Sequence, residues 1–298
     1  MELRDLYAAG RPPAVSFELF PPKTPQGEEA LYGHVERLLA FHPSYVTCTY
    51  GAGGSTQNRT LEIVAEVKSR WNIPVASHLT CVAATVEALR SYLREAESRG
   101  IDYIVALRGD PPRGESEFHV VKGGLAHANE LVALIRNEFP QFGVAVAGYP
   151  EKHVEAESFE SDLDYLRQKV DAGADIVITQ LFYDNTDFLR FRDRCESAGI
   201  SVPIIPGILP ITGFAQIERI TALCGAKLPA DLVTRLENAA DPKVEQRIGL
   251  EHAVLQVEQL LESGALGLHF YVLNKSEATS EVLTSVGWLN DFRTDGKS

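Results

Sequence analysis

The sequence contains only four cysteines, which lie far apart and form no Cys-x-x-Cys pair. This pattern predicts reduced thiols in a cytosolic protein and excludes a disulfide framework and a zinc ribbon. The sequence also lacks an apolar stretch of the roughly eighteen residues that a membrane span needs. No apolar segment follows the first charges of the amino terminus, so no signal peptide is predicted. We therefore expect a cytoplasmic protein that does not bind membranes.

Basic residues are in the minority, with 28 Lys and Arg against 41 Asp and Glu and a net charge of −13. No Lys/Arg-rich run offsets this charge, which repels phosphate backbones, so nucleic acid is not an expected partner. The sequence has no Gly-x4-Gly-Lys-Ser/Thr loop, no visible Ser-His-Asp or Cys-His order and no clear two-metal carboxylate set. We therefore expect neither P-loop phosphoryl transfer nor a metal site.

The 298 residues, 45% of them hydrophobic, carry a regular alternation of two kinds of segment. Eight short runs rich in β-branched and aromatic residues begin at Ala14, Tyr45, Val75, Tyr103, Val144, Ile176, Ile204 and Gly267. Between them apolar residues recur at helical spacing, so the sequence predicts parallel βα units. Eight such units predict an α/β fold, a closed (β/α)8 TIM barrel. The longer stretch 212–264 predicts two or three extra helices before the last strand, and the absence of a linker predicts one domain over 1–298.

A doubly wound Rossmann sheet is the competing architecture. Gly51, Gly53 and Gly54 follow one predicted strand and precede a helix, as in a dinucleotide-binding loop. However, Thr56 stands where that motif needs a third small residue, and no acidic residue ends a following strand to hold a ribose. The sequence therefore favours the barrel.

Polar residues gather where the predicted strands end, which is where a barrel builds its site. Glu18 lies within an apolar strand, so burial should raise its pKa and leave it partly neutral, as a general acid requires. The alternative is a structural carboxylate paired with Arg or Lys. Arg108, Gly109 and Asp110 end another strand, where the glycine would let a ligand approach closely; the alternative is a salt bridge within the loop.

Further candidates follow other strands. His78 is expected to bond a cofactor or to be a satisfied core histidine. Tyr149, His153, Asp162 and Lys169 suit a flat, phosphate-bearing cofactor, although a solvated helix face would explain the last two equally well. Gln180 ends an apolar strand, where its amide matches the edge of a heteroaromatic ligand.

Nine segments of the sequence together resemble the methylenetetrahydrofolate reductase family, from about Val15 to the final helix. They are SFELFPPK, TYGAGGST, SHLTC, ALRGDPP, AGYPEKH, KVDAGAD, TQLFYD, PGILP and HFYVLNK. FE-x-FPP and LRGD are the most specific of them, and all occur in the family's order. The resemblance implies a barrel that binds FAD non-covalently without a Rossmann motif. It also implies reduction of 5,10-methylenetetrahydrofolate to 5-methyltetrahydrofolate by a ping-pong mechanism, with NADH or NADPH as the donor.

The resemblance also implies residue roles. Glu18 matches the general acid that helps open the one-carbon ring of the folate, and Asp110 matches an aspartate beside the flavin and the pterin. Gln180 matches a pterin-binding amide, Gln216 a further substrate contact, and Lys275 could reach the folate's glutamate tail. The positions that match those holding FAD are Thr49, His78, Arg108, Gly109, Asp110, His127, Ala128, Tyr149, His153, Ala156, Asp162 and Lys169.

The sequence departs from the family pattern at a few positions. Ile220 and His127 stand where relatives can carry aromatics, and Lys275 stands where many carry Arg, which binds carboxylates in a bidentate manner that Lys cannot reproduce. Tyr165 and Gln168 replace a polar and a basic residue near FAD. The short chain also resembles the bacterial form without the S-adenosylmethionine-binding regulatory domain, and we expect a homo-oligomer. A folate-barrel methyltransferase, a Schiff-base aldolase and a non-catalytic flavin-binding barrel remain as alternatives.

Overall fold

Eight parallel strands close into a barrel in sequence order in a computed structural model of the protein, which describes residues 2–50, 57–111 and 118–291. Strand β8 pairs with β1 to complete the ring, and Ala14 lies opposite Gly267. The predicted (β/α)8 barrel is confirmed, and each of the eight predicted apolar runs overlaps one strand. The strands are β1 (Ala14–Leu19), β2 (Tyr45–Cys48), β3 (Val75–Thr80), β4 (Tyr103–Leu107), β5 (Gly143–Gly148), β6 (Ile176–Leu181), β7 (Ile204–Ile208) and β8 (Gly267–Tyr271).

Helices follow the strands and surround the barrel. The first six are α1 (Pro25–Leu39), α2 (Gln57–Trp71), α3 (Val86–Ser98), α4 (Ala128–Glu138), α5 (Phe159–Asp171) and α6 (Asn185–Ser197). Between β7 and β8 lie α7 (Phe214–Cys224), α8 (Ala230–Glu237) and α9 (Pro242–Glu262), which confirms the extra helices predicted there. Two helices follow β8, α10 (Glu277–Ser285) and α11 (Trp288–Asp291). None of the described helices has the length and apolar character that a membrane span requires.

The strands are apolar because both of their faces are buried. In β1, Val15, Phe17 and Leu19 belong to the large apolar core that also includes helix residues such as Leu31 and Val35. A second cluster, which includes Val105 and Ile178, fills the barrel interior. The alternation of side chains along a strand places Glu18 in the interior rather than under the helices.

Two half-buried aspartates fix helices to the barrel. Asp102, just before β4, accepts hydrogen bonds from Lys68 of α2 at 2.7 Å and from the backbone N–H of Val75 at 2.9 Å. Asp175, just before β6, accepts equivalent bonds from Arg136 of α4 at 2.5 Å and from the N–H of Val144 at 2.7 Å. Each aspartate therefore joins a helix to the start of a strand.

The amino-terminal end of the barrel is closed by a 3-10 helix, Arg4–Tyr7. Leu3 and Tyr7 are 1% and 2% exposed and pack with the interior cluster. The Arg4 guanidinium donates to the carbonyl of Ser201, just before β7, at 3.3 Å. The 3-10 helix thus covers the interior apolar cluster at this end of the barrel. The glycine loop beginning at Gly51 lies outside the described residues.

Candidate active site

The carboxylate of Glu18 lies inside the barrel near the carboxyl ends of the strands, with 7% of the residue exposed. Its Oε2 atom lies 3.2 Å from Nε2 of His78 on β3 and 3.5 Å from Nε2 of His269 on β8. Thr47 of β2 places its hydroxyl 3.5 Å from the same nitrogen of His78. We call Glu18, His78 and His269 the carboxylate–histidine cluster.

Ser16 holds the second nitrogen of His269. Its hydroxyl lies 2.8 Å from Nδ1 of the imidazole, and both residues are fully buried. Because Ser16 precedes Glu18 by two residues on one strand, the two side chains share the inner face of the barrel. Both ring nitrogens of His269 therefore face side chains of β1.

The expected raised pKa of Glu18 is wrong for this structure. Burial is the largest single influence and does raise the pKa, but the charge of His78 and hydrogen bonds from His269 and His78 lower it to about 2. Sequence reasoning considered Arg or Lys as the partners of a structural carboxylate, and the partners are two histidines instead. Glu18 is therefore an ionised carboxylate, and any proton it delivers must first come from a neighbouring group.

Arg108 and Asp110 follow β4 at the same end of the barrel. The Arg108 guanidinium forms a bidentate ion pair with Glu155 at 2.6 and 2.9 Å, so it is bonded to this residue rather than to Asp110. Asp110 is exposed. Gly109 has a φ of 89°, and a Cβ there would lie 2.8 Å from Val82 Cγ1. Backbone conformation and packing against Val82 therefore both require the glycine; a ligand contact at Gly109 remains a prediction.

Tyr149, His153 and Asp162 form a connected group after β5. The rings of Tyr149 and His153 meet edge to face at 4.6 Å. The backbone N–H of His153 donates to Asp162 of α5 at 2.9 Å. Burial raises the pKa of the Tyr149 phenol, and the charges of Asp162 and Asp110 add to this effect. Asp162 thus orients the loop instead of belonging to a solvated helix face.

Lys169 points from α5 toward the barrel. Its ammonium donates to the carbonyl of Ala147 on β5 at 2.6 Å. Burial lowers its pKa to about 8, against an opposing effect of Asp162. A nearby anion would favour the charged form of such a lysine.

The remaining positions expected to hold FAD lie beside this group. Ala128 is the first residue of α4, and the preceding His127 is exposed and stacks with Tyr165 at 6.4 Å. Tyr165 and Gln168 lie on the exposed side of α5. Ala156 is half-buried, and its carbonyl accepts a hydrogen bond from Lys152.

The side chains after β2 to β5 fit an anionic, aromatic cofactor such as FAD. The buried hydroxyl of Thr49 has no hydrogen-bond partner among the described residues, so it is available to a ligand. Arg108 and Lys169 supply two cations from neighbouring strands and helices. Tyr149 supplies an aromatic face and His153 a ring nitrogen. The described residues thus offer the charge, hydroxyl and aromatic groups that binding of FAD requires.

The positions expected to contact folate lie on the other side of the barrel end. Gln180 of β6 is half-buried, and its amide oxygen accepts the N–H of Leu181 at 2.9 Å. Gln216, in the first turn of α7, lies 3.4 Å from the Thr212 hydroxyl through its Oε1. Lys275 is exposed just after β8. Ile220 is half-buried in an apolar cluster to which α7, α8 and α9 contribute.

Sequence reasoning missed His269, Ser16 and Glu155 as members of this site. His269 and Ser16 occur in the strand segments HFYVLNK and SFELFPPK. Because side chains alternate between the two faces of a strand, this spacing could have predicted that both residues point into the barrel. Glu155 gave no such signal, because it lies in a loop.

The fold and the site together define a (β/α)8-barrel protein with a buried carboxylate–histidine cluster at the carboxyl ends of its strands. The family model for methylenetetrahydrofolate reductase matches residues 3–287, and the chain belongs to that family.

Individual relatives agree with this assignment. The chain is 40% identical over 274 residues to the 5,10-methylenetetrahydrofolate reductase of Escherichia coli K12, covering 92% of this chain and 90% of the relative. It is 40% identical over 291 residues to methylenetetrahydrofolate reductase (NADH) 1 of Arabidopsis thaliana, and the match covers 94% of this chain and 49% of the relative. The chain therefore spans about half the length of its plant relatives.

Solved structures support the fold. A Clostridium thermocellum protein described as binding two copies of 5-methyl-5,6,7,8-tetrahydrofolic acid matches with a TM-score of 0.64 at 17% identity, over 98% of this chain and 99% of that protein. At this identity the similarity shows the barrel fold alone.

Proposed function

We propose that this protein reduces 5,10-methylenetetrahydrofolate to 5-methyltetrahydrofolate, with FAD as a bound cofactor and NADH as the donor. The observation that carries the proposal is the carboxylate–histidine cluster at the ligand-accessible end of a barrel of this family. NADH is favoured over NADPH because the names of the plant relatives specify it.

Glu18 serves as the general acid in this proposal. The acid step transfers a proton to the folate nitrogen that is released when the one-carbon ring opens, which leaves an electrophilic iminium. In the free protein Glu18 is ionised because His78 and His269 stabilise its charge. A flat substrate stacked over the cluster would remove water from Glu18, and this desolvation favours the protonated carboxyl group. The proton that reaches the folate nitrogen therefore comes from the carboxylate–histidine cluster rather than from Glu18 alone.

The side chains after β2 to β5 would hold FAD. Lys169 and Arg108 would supply positive charge to its phosphates, Thr49 and His78 would donate hydrogen bonds, and Tyr149 and His153 would supply aromatic contacts. Gly109, Ala128, Ala156 and His127 would provide further contacts, and Asp162 keeps the backbone of His153 in position. When bound, FAD supplies a two-electron carrier that accepts hydride from NADH and gives hydride to the folate.

Folate binds between this cofactor and the side chains after β6 to β8. In this proposal Gln180 pairs with the polar edge of the pterin, and Asp110 acts on both the flavin and the pterin. Gln216 adds a contact from α7, and Lys275 reaches the glutamate tail. We infer that the nicotinamide and the folate bind in turn at the same place, so the kinetics are expected to be ping-pong.

The test is the stoichiometry of turnover. FAD-loaded protein is given NADH and methylenetetrahydrofolate without oxygen, and the products are separated by chromatography. We expect one 5-methyltetrahydrofolate for each NADH oxidised, with parallel lines in double-reciprocal plots. NADH oxidation without a methylated product would contradict the folate assignment. Failure to bind FAD would instead favour a folate-barrel methyltransferase, and FAD binding without NADH oxidation would favour a non-catalytic flavin barrel.

A further inference from the structure

A row of buried hydroxyl groups continues from the carboxylate–histidine cluster toward the amino-terminal end of the barrel. The phenol of Tyr7 donates to the phenol of Tyr45 at 3.0 Å. Tyr45 lies on β2 directly opposite Ser16 on β1, and Ser16 lies opposite His269 on β8. The Ser16 side chain lies beside both phenols and lowers the pKa of each, and its hydroxyl lies 2.8 Å from His269 Nδ1.

These groups form a chain of side chains with Glu18 at its inner end. Its order is Tyr7, Tyr45, Ser16, His269 and Glu18, and we call it the tyrosine–serine–histidine chain. All five residues are at most 7% exposed. Burial raises the pKa of both phenols, so each retains its proton at neutral pH and can pass it on.

The outer end of the chain meets a groove at the amino-terminal end of the barrel. The groove has a volume of about 660 Å³ and is lined by Tyr7 together with polar residues such as Arg4, Asp5 and Glu196. Gly267, at the start of β8, leaves room for the phenol ring, since a Cβ there would lie 2.7 Å from Tyr7 Cε1. Tyr7 therefore joins the chain of hydroxyl groups to this groove.

We propose that the tyrosine–serine–histidine chain delivers a proton to Glu18 from the amino-terminal end of the barrel for each acid step, while the folate is bound. This inference rests on the proposed function. The reaction consumes one proton per folate reduced. A flavin and a folate stacked at the carboxyl end would separate Glu18 from solvent on that side, whereas the groove at the opposite end stays open.

Proton balance is maintained along the chain. His269 gives the proton on Nε2 to Glu18 and receives one on Nδ1 from Ser16. Ser16 receives one from Tyr45, Tyr45 from Tyr7, and Tyr7 from hydronium in the groove, which becomes water. Each hydroxyl then rotates, and the imidazole ring turns to restore the first tautomer. The 3.5 Å gap between His269 and Glu18 must shorten during transfer, as catalytic hydrogen bonds often do when substrate binds.

The test variant is Tyr45→Phe, which removes one hydroxyl from the chain and keeps the ring. The FAD-loaded variant is mixed without oxygen first with NADH and then with methylenetetrahydrofolate in a stopped-flow instrument. Flavin reduction should match the parent because that step needs no proton from Glu18. Flavin reoxidation by folate should slow by about tenfold or more, the range of effects seen for general acids. Tyr7→Phe should slow the same step.

Tyr183→Phe is the matched control, since it also removes a buried phenol hydroxyl, one that donates to the Leu209 carbonyl at 3.1 Å. In protein labelled with ¹⁵N-histidine, Tyr45→Phe should shift the His269 nitrogen resonances and the control should not. A Tyr45→Phe reoxidation rate within about twofold of the parent would overturn the inference alone. Equal slowing of both half-reactions would also overturn it, because that pattern indicates a structural effect. A parent protein without folate turnover would instead overturn the proposed function.

Discussion

Replacing Glu18 with glutamine separates the two half-reactions of the proposed cycle. Glutamine keeps the size of the side chain but cannot deliver a proton as an acid. Reoxidation of the flavin by methylenetetrahydrofolate should therefore slow by about 10²- to 10⁴-fold. Reduction by NADH should proceed at the parent rate, since no described feature gives Glu18 a role in that step. Stopped-flow absorbance of each half-reaction measures both effects in one preparation.

Glu18→Gln should also lower the free energy of unfolding, because it removes the charge that His78 and His269 stabilise. The fall in the pKa of Glu18 from 4.5 to about 2 corresponds to about 3 kcal/mol in favour of the ionised form in the folded protein. Because the pKa is depressed on folding, this stabilisation is present above about pH 4.5 and is lost as the pH falls toward 2. Glu18→Gln should thus lower the free energy of unfolding by up to about 3 kcal/mol at pH 7.

Urea unfolding at several pH values tests this expectation, and the gap between variant and parent should narrow below pH 4.5. A gap that is independent of pH would refute the role of the histidines in stabilising the carboxylate. A variant reoxidised by folate at nearly the parent rate would refute the general-acid assignment.

Three further predictions concern Lys169 at the proposed FAD site, Gln180 at the proposed folate site and Gly109 after β4. FAD binding between pH 8 and 9 should take up a proton, because Lys169, with its pKa of about 8, becomes charged beside the phosphates. Calorimetry of FAD binding in two buffers of different ionisation enthalpy measures this proton uptake. The Lys169→Met variant should show no uptake. Equal heats of binding in the two buffers for the parent protein would contradict the prediction. Gln180→Met should raise the KM for methylenetetrahydrofolate by about tenfold or more and leave flavin reduction unchanged, because it removes hydrogen bonds to the pterin; an unchanged KM would contradict the pterin contact. Gly109→Ala should lower the free energy of unfolding by about 1–3 kcal/mol, since φ is 89° and the new Cβ meets Val82; unchanged stability in urea would refute this account.

The strands could be predicted from the sequence because a barrel buries both faces of every strand. Continuous apolar runs such as Tyr103–Leu107 therefore mark them clearly. The three helices between β7 and β8 could be predicted from the length of the intervening segment. These features are local, so short stretches of sequence are enough to find them.

The interior contacts could not be predicted in the same way. Glu18 and His269 are 251 residues apart and meet only because β8 closes against β1. The direction of the shift in the Glu18 pKa depends on both His78 and His269 meeting the carboxylate, since burial alone acts in the opposite direction. The bidentate pairing of Arg108 with Glu155 likewise depends on how the loop after β5 folds back, which no spacing in the sequence reveals.

The absorbance of the flavin tests the central claim most directly. FAD-loaded protein is placed in an anaerobic cuvette and receives NADH, then methylenetetrahydrofolate. The account predicts that the flavin band bleaches with NADH and returns in full with the folate. A band that bleaches but stays bleached after the folate is added would contradict folate reduction at this site, and a band that NADH leaves unchanged would contradict the reductase itself.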